Sequence, residues 1–282
     1  MAVVRNQFSR IIKTIKNPTA KKYYLCKSKL RGMNPFMVYS GKHVFHFTKF
    51  ESALRIIATL SLKFGRFENM NDIAEVKRDV YGMIPADRIN KELSYYQSIS
   101  LTLDNPSHRG FKIDPLWGHY AQGGNGVCLV FDIKKLSQRV LEQFGGKAII
   151  DNIHYSYNHS NAIFTEGDSQ EAVEKYLANN IKDIFFTKSL DWKYEQELRI
   201  LIKGYDNDEK LYFGEDTLIA VILCLPKVID YKESSEFKIL KSMLTDTPIL
   251  RYTTSLGNKE LLDENGEKVC DIIGVDLQVL FE

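Results

Sequence analysis

The chain has 282 residues, of which 44% are hydrophobic and 12% aromatic, so it carries enough apolar surface to bury a core and is not a disordered protein. Its formal net charge is only +2, from 38 basic and 36 acidic residues, which argues against a protein whose whole surface attracts nucleic acid. The 4 cysteines form no close pair and no apolar run approaches the ~20 residues of a membrane span, so we expect reduced thiols in the cytoplasm.

The first residues differ from the rest in charge. Residues 1–42 contain Lys and Arg but no Asp or Glu, and residues 6–16 have apolar side chains at helical spacing. Turn signals follow at Asn17-Pro18 and Asn34-Pro35. We therefore predict a basic helical extension and connection over 1–40, followed by a single α+β domain over 41–282. The basic extension suits phosphates or an acidic partner chain, although a solvated helix face has the same composition.

The next part of the chain alternates short strands and helices. The run HVFHFT at 43–48 predicts a buried strand, and apolar residues at helical spacing predict a helix over 50–60. A second strand, SLKFGRF, leads into a loop with turn residues at Asn71 and Asp72. Further strands are predicted at 95–102 and in VCLVF, directly after a glycine-rich bend at 123–126.

The remaining half of the chain contains the clearest strand. Helices are predicted over 133–145 and 168–183, and the run ELRILI then indicates a buried strand. Another strand follows in LIAVILCL, then a helix over 231–243 and a strand over 247–252. Strands outnumber helices and do not alternate with them regularly, which indicates an α+β fold and not a doubly wound sheet.

His46 is the first candidate for chemistry. On a strand, His46 and Thr48 share one face because side chains alternate with period two, so both could point into one cleft. A lone histidine on an apolar strand is also common as a hydrogen-bonded core residue.

A second candidate is the run Glu195, Glu197 and Arg199, at i, i+2 and i+4 of the predicted strand. All three would project to one side. Two close carboxylates repel each other when ionised, so the pKa of one should rise unless a cation offsets the repulsion. Such a pair can stabilise positive charge or orient a nucleophile, but it can also be a solvated ladder of surface charges.

The third candidate is the aromatic cluster Trp117, His119 and Tyr120 beside the glycine bend. Aromatic rings beside glycine backbone offer a surface on which a planar ring can stack, although large aromatic residues also fill ordinary cores. The sequence lacks GxSxG, GxxxxGK[ST], HExxH and GxGxxG before a helix, so the usual hydrolase, P-loop and Rossmann functions lose their support. The histidines are not spaced as metal ligands, and we expect no metal.

Three motifs stand in a recognisable order: HxT from His46 to Thr48, WxxYA from Trp117, and WxxExExR ending at Arg199. Together with Asn71-Asp72 they resemble a bacterial family of unknown function, over roughly residues 43–204. One departure is Asn125, which stands before Gly126 where that family usually has a histidine. The family in turn resembles the ADP-ribosyltransferase superfamily, which implies a small split β-sheet with flanking helices and NAD as the substrate.

That resemblance implies roles for individual residues. His46 would hold the ribose and carboxamide side of NAD, with Thr48 beside it, and Tyr120 would stack near nicotinamide. Glu197 would be the catalytic carboxylate, with Glu195 as its neighbour or substitute. The remaining residues implied to contact NAD are Asn71, Trp117 and Arg199.

The hypothesis is therefore an NAD-dependent ADP-ribosyltransferase that modifies a nucleic acid or a protein, as a bacterial toxin or an anti-phage defence effector. An antitoxin or inhibitory protein is a further expected partner. Two alternatives stay open: a catalytically inactive binding module for nucleic acid or protein, and a metal-free nuclease toxin that uses His46 or His119 with Glu197. The enzyme hypothesis requires His46, Tyr120 and Glu197 to line one cavity.

Overall fold

The computed structural model describes residues 38–39, 42–72, 86–104, 109–157, 169–204, 209–225, 230–255, 258–269 and 271–272. The expected basic extension at 1–40, with its helix over 6–16, lies outside the described residues except for Val38 and Tyr39. All the residues of the three sequence motifs lie inside them.

Mixed α and β elements confirm the α+β class. The strands are β1 Val38–Tyr39, β2 His43–Thr48, β3 Ser61–Lys63, β4 Gly65–Arg66, β5 Tyr96–Leu103, β6 Val127–Asp132, β7 Ala148–Asn152, β8 His154–Tyr155, β9 Thr187–Lys188, β10 Glu197–Lys203, β11 Lys210–Tyr212, β12 Leu218–Cys224, β13 Ile249–Ser255, β14 Asn258–Leu262 and β15 Asp271–Ile272. The helices are α1 Phe50–Thr59, α2 Ala86–Leu93, α3 Asp114–His119, α4 Ile133–Phe144, α5 Gln170–Asn179, α6 Ile181–Phe185 and α7 Ser235–Met243.

Helix boundaries follow from capping residues. The Asp132 carboxylate accepts hydrogen bonds from two backbone N–H groups at the start of α4, and the Ser234 hydroxyl accepts one from Phe237 in α7. The predicted helix over 168–183 is instead two helices, α5 and α6, which meet at Asn180. Asn favours non-helical conformations, since its amide competes for backbone hydrogen bonds.

One sheet organises the described chain. Its strand order is β14-β13-β12-β6-β2-β5-β10-β7, with β4 added against β5, and all neighbours are antiparallel except the parallel pair β12 and β13. One face carries a continuous apolar core beneath α1, α4 and α7. On the other face two separate clusters lie around Phe45 and Leu201. Strands 43–48 and 197–203 therefore contribute to both faces.

The sheet forks at β5. Strand β2 pairs with β5 only at Val44 and Phe45, whereas β4 pairs with β5 at Ser98 and Gln97. Ser100 lies between these two pairings, on the same edge of β5. Because β2 and β4 diverge here, a side chain can approach the backbone of Ser100 on this edge.

Candidate functional site

Glu197 is the most constrained carboxylate of the site. It is the first residue of β10 and is 3% exposed. Its carboxylate accepts two hydrogen bonds from Arg199, from Nε to Oε1 at 2.7 Å and from Nη2 to Oε2 at 3.1 Å. The Lys188 ammonium lies 2.7 Å from Oε2, and the Ser100 hydroxyl donates to Oε1 at 2.6 Å. Arg199 is fully buried and also donates to the carbonyl of Phe185, so it acts as a fixed partner of the carboxylate.

Burial alone would raise the pKa of Glu197, because it disfavours the charged form. The charges of Arg199 and Lys188 outweigh that effect and lower the pKa of Glu197 to about 2. Glu197 is thus ionised at neutral pH.

Glu195 reaches the same lysine from outside the strand. It ends a 3-10 helix, Leu190–Glu195, and Gln196 follows in the left-handed conformation with φ 48° and ψ 47°. The expected strand run of alternating charges begins only at Glu197, so the prediction was wrong for Glu195, because the left-handed residue turns the chain first. The turn still brings Glu195 Oε2 within 2.8 Å of Lys188 Nζ.

The two carboxylates differ in charge state. Burial raises the pKa of Glu195, and the nearby Glu197 charge raises it further against the opposing effect of Lys188. Glu195 therefore takes up a proton more readily than Glu197. Environments that separate two carboxyl pKa values in this way are typical of acid–base sites.

Two tyrosines contact the two glutamates, one at a carboxylate and one at the backbone. The half-buried Tyr120 donates from its hydroxyl to Glu195 Oε1 at 2.5 Å, and the exposed Asn71 hydrogen-bonds to the same phenol. The hydroxyl of Tyr155 accepts a hydrogen bond from the Glu197 backbone N–H at 2.8 Å. Burial raises the pKa of both phenols, so each is neutral. The structure thus brings Tyr120, Asn71 and both glutamates together.

Among the described contacts, His46 meets this cluster through Ser100. Alternation along β2 puts His46 on the same side as Val44, the face opposite Glu197. Its Nδ1 lies 3.3 Å from the Ser100 carbonyl oxygen, in the fork of the sheet, and burial lowers the pKa of the imidazole. Ser100 thus stands between the histidine and the carboxylate. The prediction that His46 lines one cavity with Glu197 was therefore wrong, because the pairing of β2 with β5 puts the two side chains on opposite faces of the sheet.

The other expected NAD contacts lie in different surroundings. Trp117 is 3% exposed, its indole stacks on Tyr252 at 5.0 Å and 7°, and its Nε1 donates to the Phe111 carbonyl at 2.8 Å. Trp117 is therefore a core residue and lies outside the site. Thr48 is half-buried at the end of β2, where it pairs with Val127.

Three aromatic rings that are exposed or half-buried lie next to Lys188 and Tyr120. We call His119, Trp192 and Tyr194 the aromatic platform. Their ring centroids are 6.1 to 6.2 Å apart, with interplanar angles of 38° to 62°, so each ring presents a face of its own. The Tyr194 hydroxyl lies 3.1 Å from His119 Nδ1. Lys188 Nζ lies 5.7 Å from the Trp192 ring, and the His119 and Tyr120 rings are 6.3 Å apart.

A pocket of about 350 Å³ opens beside Glu197. Its lining residues are Leu103, Asp104, Asn152, Ile153, Tyr155, Gln196 and Glu197. Neither Lys nor Arg is among them. The volume falls within the range of small-molecule sites, about 300–1,000 Å³.

Sequence reasoning missed several members of the site. Lys188 stands on the two-residue strand β9, and Ser100 is one of several polar residues on β5. Neither belongs to a spaced pattern, so no sequence signal distinguished them. Among the described residues no group of three or more His, Cys, Asp or Glu is placed to hold a metal ion. Within the same residues no helix is both long and apolar enough to cross a membrane.

Comparison with known families gives one match. The family described as a protein of unknown function, DUF2971, matches residues 116–200, less than a third of the chain. The matched segment includes Tyr120, Lys188, Glu195, Glu197 and Arg199 but neither His46 nor Asn71. No curated protein and no solved structure gave a significant match.

Proposed function

We propose that this protein is an NAD-dependent ADP-ribosyltransferase that modifies a macromolecule, as a bacterial toxin or an anti-phage defence effector. One observation carries the proposal: an ionised, buried Glu197, held by Ser100, Lys188 and Arg199, lies beside a second carboxylate that titrates at higher pH. The order of the HxT, WxxYA and WxxExExR motifs, which resembles the ADP-ribosyltransferase superfamily, supports NAD as the donor.

The reaction suits a fixed carboxylate. Breaking the bond between nicotinamide and ribose leaves positive charge on the ribose, and a preorganised anion stabilises that charge without reorganising during the reaction. Glu197 has this property because three side chains hold it in place. Nicotinamide leaves as a neutral molecule and takes the bonding electrons with it.

The second carboxylate, Glu195, accepts the proton that the reaction releases. The acceptor loses a proton as it attacks C1′ of the ribose, and Glu195 can take it, because its pKa is raised by burial. Tyr120 donates to Glu195 and so fixes the orientation of that carboxylate. In this proposal Glu197 stabilises charge and Glu195 is the base.

The pocket beside Glu197 suits part of NAD. Tyr155 and Glu197 are among the residues that line it, and its volume of about 350 Å³ suits the nicotinamide riboside half. Because neither Lys nor Arg is among the described residues that line it, we place the diphosphate outside it. The proposal differs from the sequence hypothesis in one respect: it places the chemistry on Glu197, Glu195 and Tyr120 and gives His46 no contact with NAD, because His46 lies on the opposite face and meets Ser100.

A labelling experiment tests the proposal. Purified protein is incubated with cell extract and NAD labelled in the adenylate group, and labelled acceptors are identified by mass spectrometry. We expect Glu197→Gln to lower labelling about 10²–10³-fold, as for other preorganised electrostatic partners. The matched control is Glu142→Gln, on the exposed surface of α4. Equal labelling by wild type and Glu197→Gln would sink the catalytic role of Glu197.

The two alternatives give different results in the same tube. A catalytically inactive binding module releases no nicotinamide and leaves nucleic acid intact. A nuclease toxin cleaves nucleic acid whether or not NAD is added. Nicotinamide release and strand integrity, measured together, therefore distinguish the three functions.

A further inference from the structure

We propose that the aromatic platform binds an unpaired nucleobase of a single-stranded nucleic acid and presents it to Glu195. This inference rests on the proposed function, because it names the acceptor of the ADP-ribosyl group. It assigns Trp192, Tyr194 and His119 to acceptor binding.

On two sides the platform lies next to side chains that hydrogen-bond to Glu195, the proposed general base. The Trp192 ring lies 5.7 Å from Lys188 Nζ, which in turn lies 2.8 Å from Glu195. On the other side the His119 ring is 6.3 Å from that of Tyr120, whose hydroxyl contacts Glu195 at 2.5 Å. The platform thus lies next to Lys188 and Tyr120, the two side chains that hydrogen-bond to the Glu195 carboxylate.

Exposure and ring chemistry favour a flat ligand. His119 is exposed, and Trp192 and Tyr194 are half-buried, in contrast to the fully packed Trp117. Half-exposed aromatic rings bind bases by stacking whatever their sequence, because every base has a π-face. The hydrogen-bonded Tyr194 and His119 add a polar edge. An aliphatic or acidic side chain of a protein acceptor would gain no stacking from these rings.

The same features indicate a single strand. Bases inside a duplex are stacked and paired, so their faces are closed to side chains. The surface charge is mixed, since exposed Lys193 and exposed Asp191 flank Trp192 in the chain. Binding should thus depend mainly on stacking and only weakly on salt. If Lys193 contacts about one phosphate, the logarithm of the binding constant should fall with the logarithm of the salt concentration with a slope near −0.7.

The proposed transfer balances. A ring or exocyclic nitrogen of the bound base attacks C1′ of the ribose and forms the new N–C bond. The bond from C1′ to the nicotinamide nitrogen breaks, and nicotinamide leaves with the electron pair. The proton of the attacking nitrogen passes to Glu195.

Tryptophan fluorescence measures this binding without any catalysis. The chain has only 2 Trp, and Trp117 is only 3% exposed, so a ligand that stacks on the platform changes the emission of Trp192 alone. A single-stranded oligonucleotide of mixed sequence is titrated into the full chain without NAD. We expect saturable quenching, and no quenching by the matched duplex.

Three variants locate the binding site. Trp192→Leu should weaken binding of a fluorescently labelled oligonucleotide, measured by anisotropy, about 5- to 150-fold. Trp192→Phe keeps an aromatic face and should retain most of the affinity, which guards against loss through misfolding. The matched control is Tyr212→Leu, an aromatic residue with 56% exposure on β11, and it should bind as wild type does.

Several results would overturn the inference. One is that the oligonucleotide does not bind, and another is that Trp192→Leu binds it as tightly as wild type does. A third is that Trp192 emission is quenched by NAD or by the duplex but not by the single strand. The outcome is separable from that of the proposed function. Platform-dependent binding by a protein that releases no nicotinamide would keep the binding site and reject ADP-ribosyl transfer, whereas labelling of protein acceptors only would do the reverse.

Discussion

The substitution Glu197→Gln should change stability in a pH-dependent way. It removes a buried charge and keeps the size of the side chain. Lys188 keeps its ion pair with Glu195, whereas Arg199 loses its ion pair with Glu197. Breaking a buried ion pair in this way commonly costs about 3–5 kcal/mol. The pKa of Glu197, lowered from 4.5 to about 2, corresponds to about 3 kcal/mol in favour of the folded state.

The sign follows from that lowered pKa. A carboxyl that is more acidic in the folded state stabilises it above the unfolded pKa, and this stability is lost as the pH falls from about 4.5 to about 2. Removing the Glu197 charge also lets the pKa of Glu195 fall, which returns part of the loss. We therefore expect Glu197→Gln to be less stable by about 2–3 kcal/mol at pH 7, with the difference shrinking below pH 4.5.

Urea unfolding at pH 7.0, 4.5 and 3.0 measures this difference directly, with Glu142→Gln as a control at an exposed pair with Arg139. The control should change little at any pH, because exposed ion pairs contribute little to stability. If Glu197→Gln unfolds at the same urea concentration as wild type at pH 7, or if the gap is the same at pH 3, the electrostatic reasoning fails.

Three other substitutions give distinct results. Ser100→Ala should cost about 1.5–3 kcal/mol by urea unfolding and slow nicotinamide release, because Glu197 loses a hydrogen bond to its charged form; unchanged unfolding and release would contradict this. Tyr120→Phe should raise the pKa of Glu195 further and move the acidic limb of the pH–rate profile to higher pH; an unmoved limb would argue against Glu195 as the base. Lys188→Met should destabilise the fold by about 3–5 kcal/mol at pH 7.5 in the same urea assay, and by less as the pH falls, because Glu195, whose pKa burial raises, takes up a proton before Glu197 does; a loss that does not change with pH would count against the shared cation.

The central strands of the sheet could be predicted from the sequence, because each is a run of apolar and β-branched residues. The edge strand β7 was not predicted, and the single strand predicted for SLKFGRF is two short strands, β3 and β4. The prediction for 43–48 matches β2 at both ends, and that for ELRILI matches the start of β10. Helix bounds were close for the same reason, since apolar spacing and caps are local features. The exception is the break at Asn180, where a helical pattern continues across two helices.

The site was less predictable because its contacts depend on register and on one backbone conformation. The period-two rule places His46 and Thr48 on one face, but the pairing of β2 with β5 decides that this face is opposite Glu197. Lys188 was invisible, since a single lysine on a two-residue strand makes no pattern. Ser100 became recognisable only once the fork of the sheet was known.

Gln196 determines how the two glutamates are used. In the left-handed region a residue with a Cβ is strained by about 1–2 kcal/mol, and a β-branched residue is the least tolerated. With Val or Ile in the middle of this Glu-x-Glu triplet, the chain would stay extended and both carboxylates would project to the same side of the strand. Chains with Gly, Asn or Gln there can bend the first acid back onto a shared lysine. The identity of this one middle residue thus distinguishes chains able to form a converging acid pair from those limited to a row of surface charges.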